Sequence, residues 1–171
     1  MLIREMIGEI NSSSDQHSGQ HSGQYSDSID PFPRAVDQFS DPTFEHMLPF
    51  PFISSEAPVR FKLVEENWKY VGRTKFKELV QELKEVQESK NHPTLWLYGT
   101  QGYGKSHLLA ALVCHLIARD ERVIYIPDCR ALLEDSVEYL QATMLFAWAD
   151  DIATRDTIMT LNTLRGIKKI L

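Results

Sequence analysis

Gly99-Thr100-Gln101-Gly102-Tyr103-Gly104-Lys105-Ser106 constrains this chain more than any other stretch, because few local folds accept it. It satisfies G-x-x-x-x-G-K-[ST] at every defined position. From average residue usage, a chance match in a chain this long is on the order of 1 in 100, so the pattern calls for a physical reason. Anionic oxygens can approach a main chain closely only where no Cβ intervenes, which is the use of Gly102 and Gly104. Successive N–H groups of residues 101 to 106 can then turn inward as an anion nest. A helix opening at the same point adds unpaired N–H groups and the positive end of its dipole. Lys105 supplies a point charge for the outer phosphates of a polyphosphate, and the Ser106 hydroxyl can join a magnesium shell completed by phosphate oxygens and water.

The flanks agree with that geometry. Leu95-Trp96-Leu97-Tyr98 is a short apolar run ending at Gly99 and reads as a buried strand. Ser106 to Ala118 reads as a helix with Leu108, Leu109, Leu112 and Leu116 on its buried side. Arg122 to Pro127 reads as a second strand, reached through a short connection at Asp120-Glu121. Strand, crossover helix and strand in about 30 residues predict a βαβ unit with parallel pairing and a right-handed crossover. The expected class is therefore α/β.

Upstream, Phe76, Leu79, Val80, Leu83 and Val86 recur at three- and four-residue spacing, which predicts a helix from Thr74 to Ser89, stopped by Asn91-His92-Pro93. Before it, Val71-Gly72-Arg73 reads as a turn. Residues 31 to 58 are rich in proline and phenylalanine, with five prolines between Pro31 and Pro51, so long helices are excluded there. This arm either docks its phenylalanines on the core or offers them to a protein partner. Residues 11 to 31 hold no Lys or Arg and repeat His-Ser-Gly-Gln twice, a composition too polar to bury a core. Residues 1 to 58 are thus expected to be largely disordered, and 59 to 171 to form the domain. Downstream, Asp128 stands at a helix N-cap position. Leu133, Val137, Leu140, Met144 and Trp148 form one helical stripe, and Ile158, Leu161, Leu164 and Ile167 another.

A formal net charge of −6 leaves no basic excess for a phosphate backbone, which makes a nucleic-acid partner unlikely. The Arg165–Lys169 patch reads as the basic last turn of a helix. Two cysteines, Cys114 and Cys129, have neither disulfide-framework nor metal-ligand spacing. No apolar run reaches the roughly 18 residues of a membrane span, and Arg4, Glu5 and Glu9 interrupt the N-terminus where a signal peptide would be apolar. An intracellular location, cytoplasmic or nuclear, is expected.

Taken together, residues 95 to 118 resemble the P-loop NTPases, with Gly99 to Ser106 as the Walker A loop. Tyr70-Val71-Gly72-Arg73 and the helix after it lie some 26 residues before Gly99. They resemble the segment of two apolar residues, Gly and Arg that precedes this loop in AAA+ and STAND ATPases. By that resemblance Val71, Gly72 and Arg73 line the base pocket and the ligand is ATP with magnesium; the alternative is a plain turn with a basic residue. Trp96 to Leu140 further resembles fungal and oomycete P-loop proteins of the Crinkler and retrotransposon-hot-spot type, over roughly residues 60 to 171. The ubiquitin-like header of Crinklers is not visible, so secretion as an effector finds no support. The resemblance implies a partial P-loop NTPase fold, a βαβ unit with flanking helices, as in the N-terminal part of a longer NTPase.

Hydrolysis requires a second acidic motif at a strand end. Met144 to Asp151 is the one candidate, offering Asp150 and Asp151 only 45 and 46 positions after Lys105. Because the Leu133 to Trp148 stripe runs through it at helical period, these two aspartates are expected at a helix C-terminus, and turnover by this chain alone is doubtful. Two other functions compete with nucleotide binding. A small-molecule P-loop kinase would need an arginine-rich lid, whereas Arg119, Arg122 and Arg130 are scattered. A degenerate NTPase-like scaffold would use the Pro/Phe arm to hold a partner.

Overall fold

Aromatic side chains decide how the N-terminal half packs. The computed structural model describes residues 32–52, 57–89 and 94–170. Its elements are α1 (Phe32–Ser40), β1 (Glu45–Pro49), a 3₁₀ turn at Val59–Phe61, β2 (Asn67–Val71), α2 (Lys75–Glu88), α3 (Lys105–Ala118), α4 (Cys129–Glu134), α5 (Ser136–Ala147), α6 (Ile152–Met159) and α7 (Leu164–Ile167). The repeated His-Ser-Gly-Gln tract, the N-terminal decapeptide and the expected stop at 91–93 lie outside the described residues.

Residues 32–52, placed with the arm on composition, form a helix and a strand. Pro33 is tolerated because it falls in the first turn of α1, where an N–H has no acceptor in any case. One turn apart on α1, Ala35 and Phe39 are both buried. β1 and β2 pair antiparallel with His46 opposite Tyr70 and Leu48 opposite Trp68. These four side chains are buried, while Glu45 and Lys69 meet on the solvent side at 2.7 Å. Phe39 sits edge-on to Tyr70 at 5.7 Å and tilted against Phe76 of α2 at 5.1 Å. The buried Tyr70 hydroxyl donates to the Phe39 carbonyl at 3.0 Å. Arm and domain thus share one core.

α2 matches the expected helix within a residue at each end, with Phe76, Leu79 and Val80 buried. α3 starts one residue early, at Lys105. Leu108, Leu112 and every residue from Ala110 to His115 are buried, so this helix is core nearly all round. Leu109, expected inside, is 39% exposed. The tightly packed row is Leu108, Ala111, Leu112 and His115, which leaves Leu109 on the outer side.

The expected parallel βαβ sheet needs correction. Residues 94–100 and 121–126 flank α3 without joining a ladder, and the sheet among the described residues is the two-stranded antiparallel β1–β2. Leu95 and Leu97 pack on the first core, while Trp96 and Tyr98 are 70% and 80% exposed. Alternation reports which face each residue presents; it does not supply the neighbouring chain that would make a ladder. The architecture is therefore mixed helix and strand with one small sheet.

The stripe expected from Leu133 to Trp148 is also broken. Asp135 ends α4 and caps α5 by accepting from Glu138 N at 3.1 Å, leaving Leu133 82% exposed. The signal was present as Asp135-Ser136-Val137-Glu138, a capping-box spacing inside the apolar pattern. Asp128 caps α4 as expected, accepting from Arg130 N at 2.8 Å. A second, smaller core gathers Met144, Ile158 and Ile167, with Ile124 packed against it. The last apolar segment is two short helices, and Leu164 is exposed. Among the described residues no helix is long and apolar enough to cross a membrane.

His115 is 1% exposed between Phe39 and Phe76, and burial holds its imidazole down to about 4, with Arg119 and Lys84 adding to the effect. Between pH 6.5 and 4 the unfolded chain takes up a proton that the folded chain refuses. Stability present above pH 6.5 is therefore lost as pH falls to 4, by about 3 kcal/mol, and levels off below. Urea midpoints measured across this window should fall accordingly, and His115→Phe should flatten the slope.

Candidate functional site

The loop from Gly99 to Ser106 is shaped by backbone that only glycine adopts readily. Gly102 and Gly104 have φ of 84° and 81°. Gly104 is also the N-cap of α3, and its carbonyl accepts the first helical bond, from Leu108 N at 3.0 Å. The N–H groups of Lys105, Ser106 and His107 therefore fall in the unpaired first turn. Within the loop, Tyr103 N donates to Thr100 O at 3.3 Å. Among the described residues, Gln101, Gly102 and Gly104 donate no backbone hydrogen bond to another backbone carbonyl. Gly102 faces open space, since a Cβ added there would meet nothing within 4 Å.

Lys105 arches back over the loop, and its ammonium donates to Gly99 O at 2.7 Å and Thr100 O at 2.8 Å. The charge thus stays at the loop's own mouth instead of reaching into solvent. Ser106, half-buried, follows in the first turn of the helix. Tyr103 lies across Gly99, with its Cδ1 3.2 Å from where a Gly99 Cβ would be.

Three residues upstream were expected to stand together near a base, and the structure gives them separate surroundings. Val71 is exposed at the end of β2 opposite Glu45. Gly72 is buried beneath the turn after α1, where a Cβ would lie 2.0 Å from Asp41 O. Arg73 alone reaches the loop, donating from Nη1 to Tyr103 O at 2.8 Å.

His107, one residue past Ser106, packs between Phe61 at 4.9 Å and Trp68 at 5.4 Å. Burial holds its imidazole below the usual range, and the Arg73 and Arg60 charges push it the same way. Arg60 donates to the Pro127 carbonyl, which ties the 3₁₀ turn to the chain just before α4. Nothing in the sequence pairs Arg60 or Arg73 with these carbonyls, because both contacts span long stretches of chain and use main-chain acceptors that any residue carries.

Asp150 and Asp151 follow α5, in and just after the turn that ends it. Asp150 faces Arg122 at 3.2 Å, and the same guanidinium stacks on Trp148 and donates to Ala147 O. Asp151 caps α6, accepting from Thr154 N at 3.0 Å and Thr154 Oγ1 at 2.7 Å, bonds that hold its carboxyl below the ordinary value. Their hydrogen bonds among the described residues run to these partners and not to the loop. Among the described residues no group of three or more His, Cys, Asp or Glu stands together as a metal site. Cys114 is buried with its thiol on Pro49 O at 3.5 Å, a core position, and Cys129 is exposed at the start of α4.

A polyphosphate with magnesium fits what the loop presents: open space at Gly102, unclaimed amides, an ammonium at the mouth and a hydroxyl one residue on. Asp150→Asn tests whether this aspartate acts only through Arg122. It should lower stability by about 1 kcal/mol or less, as for an exposed ion pair, in a urea titration.

Residues 76–159 match the family model described as Nephrocystin 3, N-terminal. The match runs from α2 through the loop and α3 to the end of α6 and leaves out Val71 to Arg73. Neither the curated proteins nor the solved structures give a match.

Proposed function

We propose that this chain binds ATP, as its magnesium complex, through the loop from Gly99 to Ser106. The observation that carries the proposal is the loop's unclaimed main-chain N–H groups, set beside an ammonium that bonds only to loop carbonyls. Each residue then has a role that its position allows. The amides of Gln101, Gly102, Gly104, Lys105 and Ser106 hold phosphate oxygens, Lys105 moves its charge from the Gly99 and Thr100 carbonyls to the outer phosphates, and Ser106 contributes its hydroxyl to magnesium. When bound, magnesium neutralises phosphate charge. The choice of ATP rests on the AAA+/STAND-like resemblance, and the Nephrocystin 3 match over residues 76–159, which holds the loop but not Val71 to Arg73, is consistent with an NTPase-like setting. Nothing in the match favours the Crinkler likeness over other NTPase-like regions.

Binding is proposed without turnover. Asp150 and Asp151 are the acidic candidates, and both are engaged elsewhere, by Arg122 and by the α6 N-terminus. The kinase alternative loses two of its arginines, since Arg122 holds Asp150 and Arg119 faces Glu121 at 3.6 Å. The scaffold alternative would need the arm free, whereas Phe39 and Leu48 are built into the core.

Titration with a fluorescent ATP analogue and magnesium checks the proposal. Lys105→Ala removes a charge-assisted hydrogen bond, so affinity should fall roughly 10- to 100-fold. Equal affinity in wild type and variant, or none in either, would overturn it.

A further inference from the structure

Arg73 is fixed at both ends. Its N–H donates to Phe39 O and its carbonyl accepts from Phe76 N, each at 2.8 Å, so the backbone is clamped between α1 and α2. Gly72, just before it, donates to Phe44 O at 3.0 Å and has no clearance for a Cβ beneath Asp41. From this anchored base the side chain crosses to the loop. Nη1 takes the Tyr103 carbonyl, and the guanidinium lies against Gly104 so closely that a Cβ there would be 2.5 Å from Nη2 and 2.6 Å from Cζ.

The consequence follows from peptide geometry. In a planar trans peptide the C=O and the next N–H point in opposite directions. Holding the Tyr103 carbonyl toward the guanidinium therefore turns the Gly104 N–H away from it. That N–H has no backbone acceptor among the described residues. A Cβ at Gly104 would have to displace this guanidinium, and the positive φ would strain it besides. A guanidinium engaged in this way is a brace on the loop backbone.

We propose that Arg73 is a positioning residue for the phosphate loop, acting through the Tyr103 carbonyl and Gly104, and does not contact the base. The inference rests on the assignment of the loop as a phosphate site and deepens it. A brace affects every polyphosphate alike, because it sets an amide that faces phosphate. A base contact affects ATP and leaves inorganic tripolyphosphate unchanged.

The test compares MgATP and magnesium tripolyphosphate binding to the full chain, by calorimetry, for wild type, Arg73→Ala and Arg73→Lys. Arg73→Ala should weaken both ligands by the same factor, about tenfold. Arg73→Lys keeps a positive charge but lacks the planar fork that spans Tyr103 O and Gly104, so it too should weaken both in equal proportion. It serves as the folded comparison should the alanine variant not fold. Loss confined to ATP would make Arg73 a base contact and overturn the inference, as would unchanged affinity for both ligands. If wild type binds neither ligand, the phosphate assignment itself falls and this inference with it. Wild-type binding with an indifferent Arg73 sinks only the brace.

Discussion

Burial of α3 on almost every side fixes where its first turn must lie, and the site inherits that position. A helix packed by Leu108, Ala110, Ala111, Leu112 and Cys114 cannot rotate or slide without opening cavities, each lost methylene contact being felt in a close-packed interior. Its unpaired N-terminal amides are therefore held at a defined place beside the core. Gly104 in the left-handed region lets the chain turn sharply into that helix, and Lys105 then starts it. The β1–β2 pair and α1 press on the same core through Phe39, Trp68 and Tyr70, and the turn between β2 and α2 carries Arg73 to the loop. Core and loop are thus one mechanical unit.

Sequence periodicity found the parts of this unit that depend on local burial. Phe76, Leu79 and Val80 repeat at helical spacing because one face of α2 is dry, and the bounds of α2 follow to within a residue. α3 and the cap at Asp128 were equally legible. What failed was information that no local window holds. Residues 94–100 and 121–126 have strand-like patterns, yet pairing is a property of two segments, and the ladder that formed joins β1 to β2. Prolines at 31, 33, 42, 49 and 51 read as a warning against structure, although Pro33 sits where a helix accepts it and Pro49 closes an outer strand whose N–H groups are not all required.

The candidate site divides along the same line. Gly99 to Ser106 stood out in the sequence because its defined positions are consecutive residues. The contacts of Gly72 and Arg73 could not be read in the same way, because they are made with main-chain atoms far along the chain: Asp41 O above Gly72, Tyr103 O before Arg73. Asp150 and Asp151 show the converse. Their spelling after an apolar run resembles an acidic strand end, while Arg122 and Thr154 give each a structural use that only the tertiary arrangement reveals.

The ammonium of Lys105 links stability to binding in this loop. With Gly99 O and Thr100 O as its acceptors it satisfies two carbonyls and keeps its charge hydrogen-bonded. Under the proposed phosphate binding, an arriving phosphate would have to draw it away, so part of the gain from the new charge-assisted bond would offset the loss of two existing ones. Gly99 and Thr100 are both exposed, however, and water can replace the ammonium at each carbonyl. The exchange then leaves no buried acceptor unsatisfied, and the penalty stays small compared with that of stranding a polar group in the core. A loop that closes on itself through solvent-accessible carbonyls would, on that proposal, exchange its lysine for an anion at little cost.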